Sequence, residues 1–273
     1  MSAQPKSAVK PPITAPRLFE MKAAGEKIVM LTAYDAGFAA QCEAAGVDTV
    51  LVGDSLGNVV QGRESTLPVT LDDMVYHTAA VKRGLATPLL IADLPFMTYR
   101  DVDTALRSSA RLVAEGGAAM VKLEGADYVL EVIDALDRRQ IPVCAHLGLT
   151  PQSVHKFGGY RVQGKTKSAA ERLIADAHAV EQAGASLLVL ECVPAALAKT
   201  ITAELRIPTI GIGAGVDCDG QVLVIYDMLG ITPGKRPKFS KDFLAGSGSV
   251  LDAIKAYAKA VRSRAFPAPE HSF

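Results

Sequence analysis

Residues 43–54 read E-A-A-G-V-D-T-V-L-V-G-D: the end of a helix, a glycine, a short β-rich apolar run and an acid. The plan recurs in A-E-G-G-A-A-M-V-K-L-E (114–124) and in E-Q-A-G-A-S-L-L-V-L-E (181–191), with the acid one place earlier. In each copy the glycine is expected to end the helix in a left-handed conformation before the chain enters a strand. Working outward, further apolar runs of the same kind appear, and the full set is 28–34, 49–54, 89–94, 119–124, 142–147, 187–191, 208–212 and 222–228. They are apolar almost without interruption, as strands buried on both faces of a parallel sheet must be. Eight such runs alternating with helical segments predict a single α/β domain, a (β/α)8 TIM barrel preceded by an N-terminal helix.

The intervening segments agree. In 170–183, Leu173, Ile174, Ala177 and Val180 form one apolar stripe of helical period while Glu171, Arg172, Asp176 and Glu181 face away. Two long glycine-rich polar loops, 55–70 and 148–166, follow the second and fifth runs and precede helices. They therefore belong to the C-terminal face of the barrel, where barrel enzymes carry their active sites. Between the seventh and eighth runs there is room for only one turn, at 217–221.

Composition narrows the class. The chain has 273 residues, 49% hydrophobic and 21% charged, which fits a well-packed globular protein. Its 29 basic and 29 acidic residues leave no net charge, so neither nucleic acid nor an acidic membrane surface is an expected partner. No apolar run reaches the ~20 residues needed to span a bilayer. Residues 1–16 lack the hydrophobic core of a secretory signal and the early arginines of a transit peptide, so they read as a mobile arm, with the barrel at 17–273. Cys42, Cys144, Cys192 and Cys218 lack metal-ligand spacing and read as unpaired thiols in a reducing, cytoplasmic setting.

Ionisable residues fall at one end of these strands. The second run ends in Asp54, the third carries Asp93, the fourth Lys122 and Glu124, the fifth His146 and the sixth Glu191. Lys122 and Glu124 are two apart and so share a face of their strand. Each has a plain structural explanation when taken alone: a loop cap for Asp54, a turn for Asp93, an ion pair for Lys122 and Glu124, a core histidine, a helix-start acid for Glu191. An isolated charge in an apolar strand is costly, however, and five strands supplying one at the same end points to a joint site. Carboxylates without a Cys/His set favour magnesium over zinc. Such a metal polarises a carbonyl, and a separate carboxylate removes the neighbouring carbon-bound proton. The residues alone lead to metal-assisted proton abstraction beside a carbonyl and leave the substrate open.

The strings T-A-Y-D (32–35), L-V-G-D-S-L-G (51–57), Q-G-R-E-S-T-L-P-V-T (61–70), A-D-L-P-F-M (92–97), V-K-L-E-G (121–125), H-L-G-L-T-P-Q-S (146–153), F-G-G-Y-R-V-Q-G (157–164), L-E-C-V-P (190–194), I-G-I-G-A-G (210–215) and E-H-S-F (270–273) occur in this order. In these strings the chain resembles the ketopantoate hydroxymethyltransferase family from about residue 18 onward. The resemblance implies transfer of a hydroxymethyl group from 5,10-methylenetetrahydrofolate, the co-substrate, to 3-methyl-2-oxobutanoate, giving 2-dehydropantoate and tetrahydrofolate on the way to pantothenate. It implies Mg2+ held by Asp54 and Asp93, with Glu124 in the metal's shell. The oxo acid would be bound by Asp54, Ser55, Asp93 and Lys122, with Glu191 as proton acceptor and His146 as a polar neighbour. It further implies a homo-oligomer, a decamer. The tail 259–273 would either exchange between neighbours or cover the site. Two rivals remain at this stage: another magnesium enolate enzyme related to phosphoenolpyruvate mutase or isocitrate lyase, which would carry a K-K-C-G-H loop absent here, and a catalytically silent binding barrel, which would not need Glu191.

Overall fold

A computed structural model describes residues 11–232, 234 and 236–273. Eight strands, β1 (Ile28–Thr32), β2 (Thr49–Val52), β3 (Leu89–Asp93), β4 (Met120–Glu124), β5 (Val143–Gly148), β6 (Leu187–Glu191), β7 (Thr209–Ile212) and β8 (Gly220–Leu223), form a closed barrel in sequence order. All neighbours are parallel, and β1 closes the ring on β8 with Ile28 opposite Gly220. This is the expected (β/α)8 barrel. Nearly every strand residue is buried, which is why the sequence shows continuous apolar runs rather than alternation.

The helix-to-strand joints explain the repeated sequence plan. Gly46, Gly117 and Gly184 take φ of +74°, +78° and +106°, the left-handed conformations expected of them. The glutamate of the motif has its own role. Glu43 accepts hydrogen bonds from the backbone N–H groups of Ala86 and Thr87 (2.9 and 3.0 Å), and Glu181 does the same for Arg206 and Ile207 (2.6 and 2.9 Å). Each carboxylate thus satisfies the loop that enters the following unit, coupling adjacent repeats. Helix Lys167–Gln182 extends the expected 170–183 segment towards Thr166, whose side chain accepts from Ala169 N–H. Leu173, Ala177 and Val180 are buried and Ile174 is half-buried.

One expectation changes at the last repeat. The segment between β7 and β8 is as short as expected and contains only turns and bends, although Gln221 is already inside β8. The eighth strand is not 222–228: it begins at Gly220, and Ile225–Met228 is a helical turn. Gly220 permits the early start, because a Cβ there would collide with the Ile28 carbonyl and the Ile210 side chain. The strand stops early because Ile225 N–H leaves the sheet to bond Thr32 Oγ1 (3.0 Å). A short apolar run does not distinguish strand from buried helix, so V-L-V-I-Y-D-M misreads easily. Helix Val250–Arg262 packs on β1 and on helix Ala36–Ala45. Its buried Tyr257 hydroxyl lies 3.0 Å from the carbonyls of both Met30 and Gln221, across the β1–β8 closure.

Residues 1–10 of the expected N-terminal arm lie outside the described residues. Helix Ala15–Ala24, capped by Thr14, buries Leu18 and Met21 and is tied by Lys22 to Asp219 (2.8 Å), just before β8. It therefore sits at the N-terminal end of the barrel, away from the strand-end acids. Among the described residues no helix is long and apolar enough to cross a membrane.

Candidate active site

The barrel register brings the strand-end residues together. Asp93 is opposite Lys122 across β3 and β4, Glu124 is opposite His146 across β4 and β5, and Gly148 is opposite Glu191 across β5 and β6. Asp54 lies just beyond β2, in the turn opened by Gly53. Asp54, Asp93, Lys122, Glu124 and His146 are all buried, while Glu191 keeps 14% of its side chain exposed. All of the expected strand-end residues thus meet at the C-terminal mouth.

Lys122 Nζ is 2.5 Å from Asp93 Oδ1, and Asp93 Oδ2 accepts from Asp54 N–H at 3.0 Å. Burial opposes charge on Lys122, but Asp93, Glu124 and Asp54 overcome it and hold the ammonium well above the usual lysine range. Asp54 has the opposite problem. Burial, then Asp93 and Glu124, push its carboxyl up to about 8, against the smaller pull of Lys122 and Gln152. His146 lies between two carboxylates, with Nδ1 3.3 Å from Glu124 Oε1 and Nε2 3.3 Å from Glu191 Oε2. Neither contact has the geometry of a hydrogen bond, so they are ion-pair contacts rather than directed bonds. Burial and Lys122 act against protonation of His146, but the two flanking carboxylates prevail and raise it to about 9. Ser55 Oγ is 2.8 Å from the hydroxyl of buried Tyr34, which orients it from below the turn.

Four carboxylates therefore face one lysine and one histidine in a buried space. That donor set fits a hard divalent cation, whose charge would offset both the burial of Asp54 and its repulsion by Asp93 and Glu124. Among the described residues no three histidines, cysteines or acids converge as a ready-made metal shell. A site for Mg2+ needs none, because that ion takes one or two carboxylates and leaves its other positions to water and substrate.

Sequence reasoning missed Gln152 and Tyr99. The Gln152 side chain donates to Asp54 Oδ2 (2.8 Å), its backbone N–H donates to Glu124 Oε2 (3.0 Å), and its Oε1 accepts from Tyr99 (2.6 Å). Gln152 was visible only as a member of the string H-L-G-L-T-P-Q-S, with no charge to single it out. In the loop 148–166, Tyr160 is 59% exposed, and its hydroxyl is raised above the usual range by its partial burial and then by Glu191, Asp54 and Glu124. The tail folds back on its own barrel: Ala195 N–H donates to the Phe273 carbonyl (2.8 Å), Lys238 Nζ to the Ser272 carbonyl (2.5 Å), and Phe273 packs near Gly213 at the end of β7.

Fold and site together define an α/β barrel of the enzyme type, with a buried acid–lysine cluster at its C-terminal mouth. The solved phosphonopyruvate hydrolase in complex with oxalate and Mg++ superposes with TM-score 0.60 at 14% identity, covering 92% of this chain and 97% of that one. For 2,3-dimethylmalate lyase, a member of the PEP mutase/isocitrate lyase superfamily, the TM-score is 0.56 at 17% identity, over 81% of each chain. Likeness at this identity concerns the fold alone. Sequence comparison goes further. Residues 12–269 match the family model for ketopantoate hydroxymethyltransferase. The 3-methyl-2-oxobutanoate hydroxymethyltransferase of Paraburkholderia phytofirmans is 58% identical over 96% of both chains, and that of Burkholderia mallei is 57% identical over 97% of both. The chain belongs to the ketopantoate hydroxymethyltransferase family, and it is a hydroxymethyltransferase.

Proposed function

We propose that the enzyme transfers a hydroxymethyl group from 5,10-methylenetetrahydrofolate to 3-methyl-2-oxobutanoate, giving 2-dehydropantoate and tetrahydrofolate in pantothenate biosynthesis. The observation that carries this reading is the meeting of Asp54, Asp93, Lys122, Glu124, His146 and Glu191 at the mouth, in a chain of this family. Asp54 and Asp93 would hold Mg2+, with Glu124 beside them. When bound, the ion would polarise the 2-oxo group and favour loss of the adjacent proton.

The protein's own groups do the rest. Lys122 has three N–H donors and spends one on Asp93, so the others are free to meet the substrate carboxylate, helped by the Ser55 hydroxyl. Glu191 removes the C3 proton. Its partial exposure lets it face the substrate, and His146 on its other side keeps the carboxylate in place. The C3 carbon then takes up the one-carbon unit, tetrahydrofolate leaves and water supplies the new hydroxyl.

The test is proton exchange at C3 of 3-methyl-2-oxobutanoate in D2O, followed by NMR with Mg2+ and without folate. We expect enzyme-dependent loss of the C3 proton signal, abolished by a chelator and restored by Mg2+. Glu191→Gln should reduce exchange and hydroxymethyl transfer together, by roughly 10²–10⁴ for loss of a general base. Exchange that survives in this variant while transfer is lost would remove Glu191 as the base; His146, held protonated by its two carboxylate neighbours, would not be its replacement without first losing that proton.

A further inference from the structure

Gln152 belongs to the turn Pro151–Ser153 beyond β5 and is buried, with its backbone N–H and both ends of its side-chain amide engaged. Its Nε2 lies 3.1 Å from the Leu94 carbonyl and 2.8 Å from Asp54 Oδ2. A carbonyl only accepts, so the amide must present its NH2 to this side and its oxygen to the other. The oxygen therefore needs a donor, and the Tyr99 hydroxyl supplies it at 2.6 Å. Tyr99 is well placed to remain a donor, since burial and then Glu124 raise its hydroxyl far above the usual range. The direction of the chain, from Tyr99 through Gln152 to Asp54, is thus set by chemistry.

One residue thereby grips two acids that flank the Asp93–Lys122 pair. Its side chain takes Asp54 Oδ2, and its backbone N–H takes Glu124 Oε2 at 3.0 Å. Without such donors, like charges in a buried cluster would turn away from one another or take up protons.

We infer that Gln152, locked by the Tyr99 hydroxyl, is a positioning residue that turns the Asp54 carboxylate towards the cation. The inference rests on the cation reading proposed above. Gln152 touches no reacting atom in this scheme, and its effect is on how the acids are presented.

The experiment uses Mn2+ as the probe, with binding to the full-length enzyme followed by electron paramagnetic resonance in saturating 3-methyl-2-oxobutanoate and checked by competition with Mg2+. Gln152→Met keeps length and neutrality but removes the donor. Its Mn2+ affinity should fall by about tenfold to hundredfold, the usual worth of a hydrogen bond to a charged group. Tyr99→Phe should weaken binding in the same direction but less, by about three- to tenfold, because the amide loses only its lock. A purely structural role would lower the melting temperature and leave Mn2+ affinity unchanged well below it. Affinity in Gln152→Met within about twofold of the unaltered enzyme overturns the inference, whatever the melting temperature does. Should that variant not fold, Tyr99→Phe decides on the same criterion. No Mn2+ binding by the unaltered enzyme would overturn the cation reading itself, and this inference with it.

Discussion

Replacing Lys122 by methionine tests how the charge cluster is held in the fold. The ammonium lies 2.5 Å from Asp93 Oδ1, with side-chain exposures of only 6% and 4%. Methionine fills nearly the same space without charge, leaving Asp93 buried beside Asp54 and Glu124. Its remaining support is the single N–H of Asp54 at 3.0 Å. Breaking a buried pair from one side costs about 3–5 kcal/mol, and for a chain of this size each kcal/mol is worth roughly 2–3 °C, so the melting temperature should fall by about 6–15 °C. The internal control is the double variant Lys122→Met with Asp93→Asn. It removes the stranded charge as well, and should recover at least about half of the loss. The exposed pair Arg107–Asp103, with side chains 79% and 74% exposed, is the external control. Its disruption should move the midpoint by less than about 3 °C. Differential scanning calorimetry at neutral pH without divalent metal reads all of these. A Lys122→Met midpoint within about 2 °C of the unaltered enzyme, or a double variant no more stable than the single, would refute the argument.

Asp54 makes a pH prediction. Its carboxyl is raised from 3.8 to about 8, so between these values the folded chain holds a proton that the unfolded chain has released. This contribution destabilises the metal-free protein as pH climbs through that window. Metal-free Asp54→Asn should therefore melt higher than the unaltered enzyme near pH ~8, with the gap closing towards pH ~4; a gap that widens towards acid would contradict the assignment. Lys122 is expected to act as an ammonium and not to form an imine, since three acids keep it protonated. Borohydride with 3-methyl-2-oxobutanoate should leave no adduct, and mass spectrometry finding one on Lys122 would reverse its role.

Much of the site was legible because charge is conspicuous in an apolar strand. Lys122 and Glu124 within M-V-K-L-E, and His146 within V-C-A-H-L, stand out against buried neighbours, and the two-residue spacing of the first pair places both on the inner face. Gln152 and Tyr99 were not legible, since neutral polar residues in loops look like any solvated turn. Their importance lies in meeting each other and Asp54 across separations of 53 and 98 residues. The end of β8 was misread because apolar character alone does not separate a strand from a buried helical turn.

By itself the sequence determined the repeating unit: a helix ended by glycine, an apolar strand, and a charged or polar residue where that strand leaves the sheet. Those are local properties, set by the conformational freedom of Gly46, Gly117 and Gly184 and by the cost of exposing apolar strands. Only the tertiary structure decided which acid pairs with Lys122, why His146 lies between Glu124 and Glu191, and that Gln152 holds Asp54. These depend on the closure of β1 against β8 and on the register between neighbouring strands. A shift of one residue in a strand would turn its inward side chains outward, so the site exists only when every strand is in place.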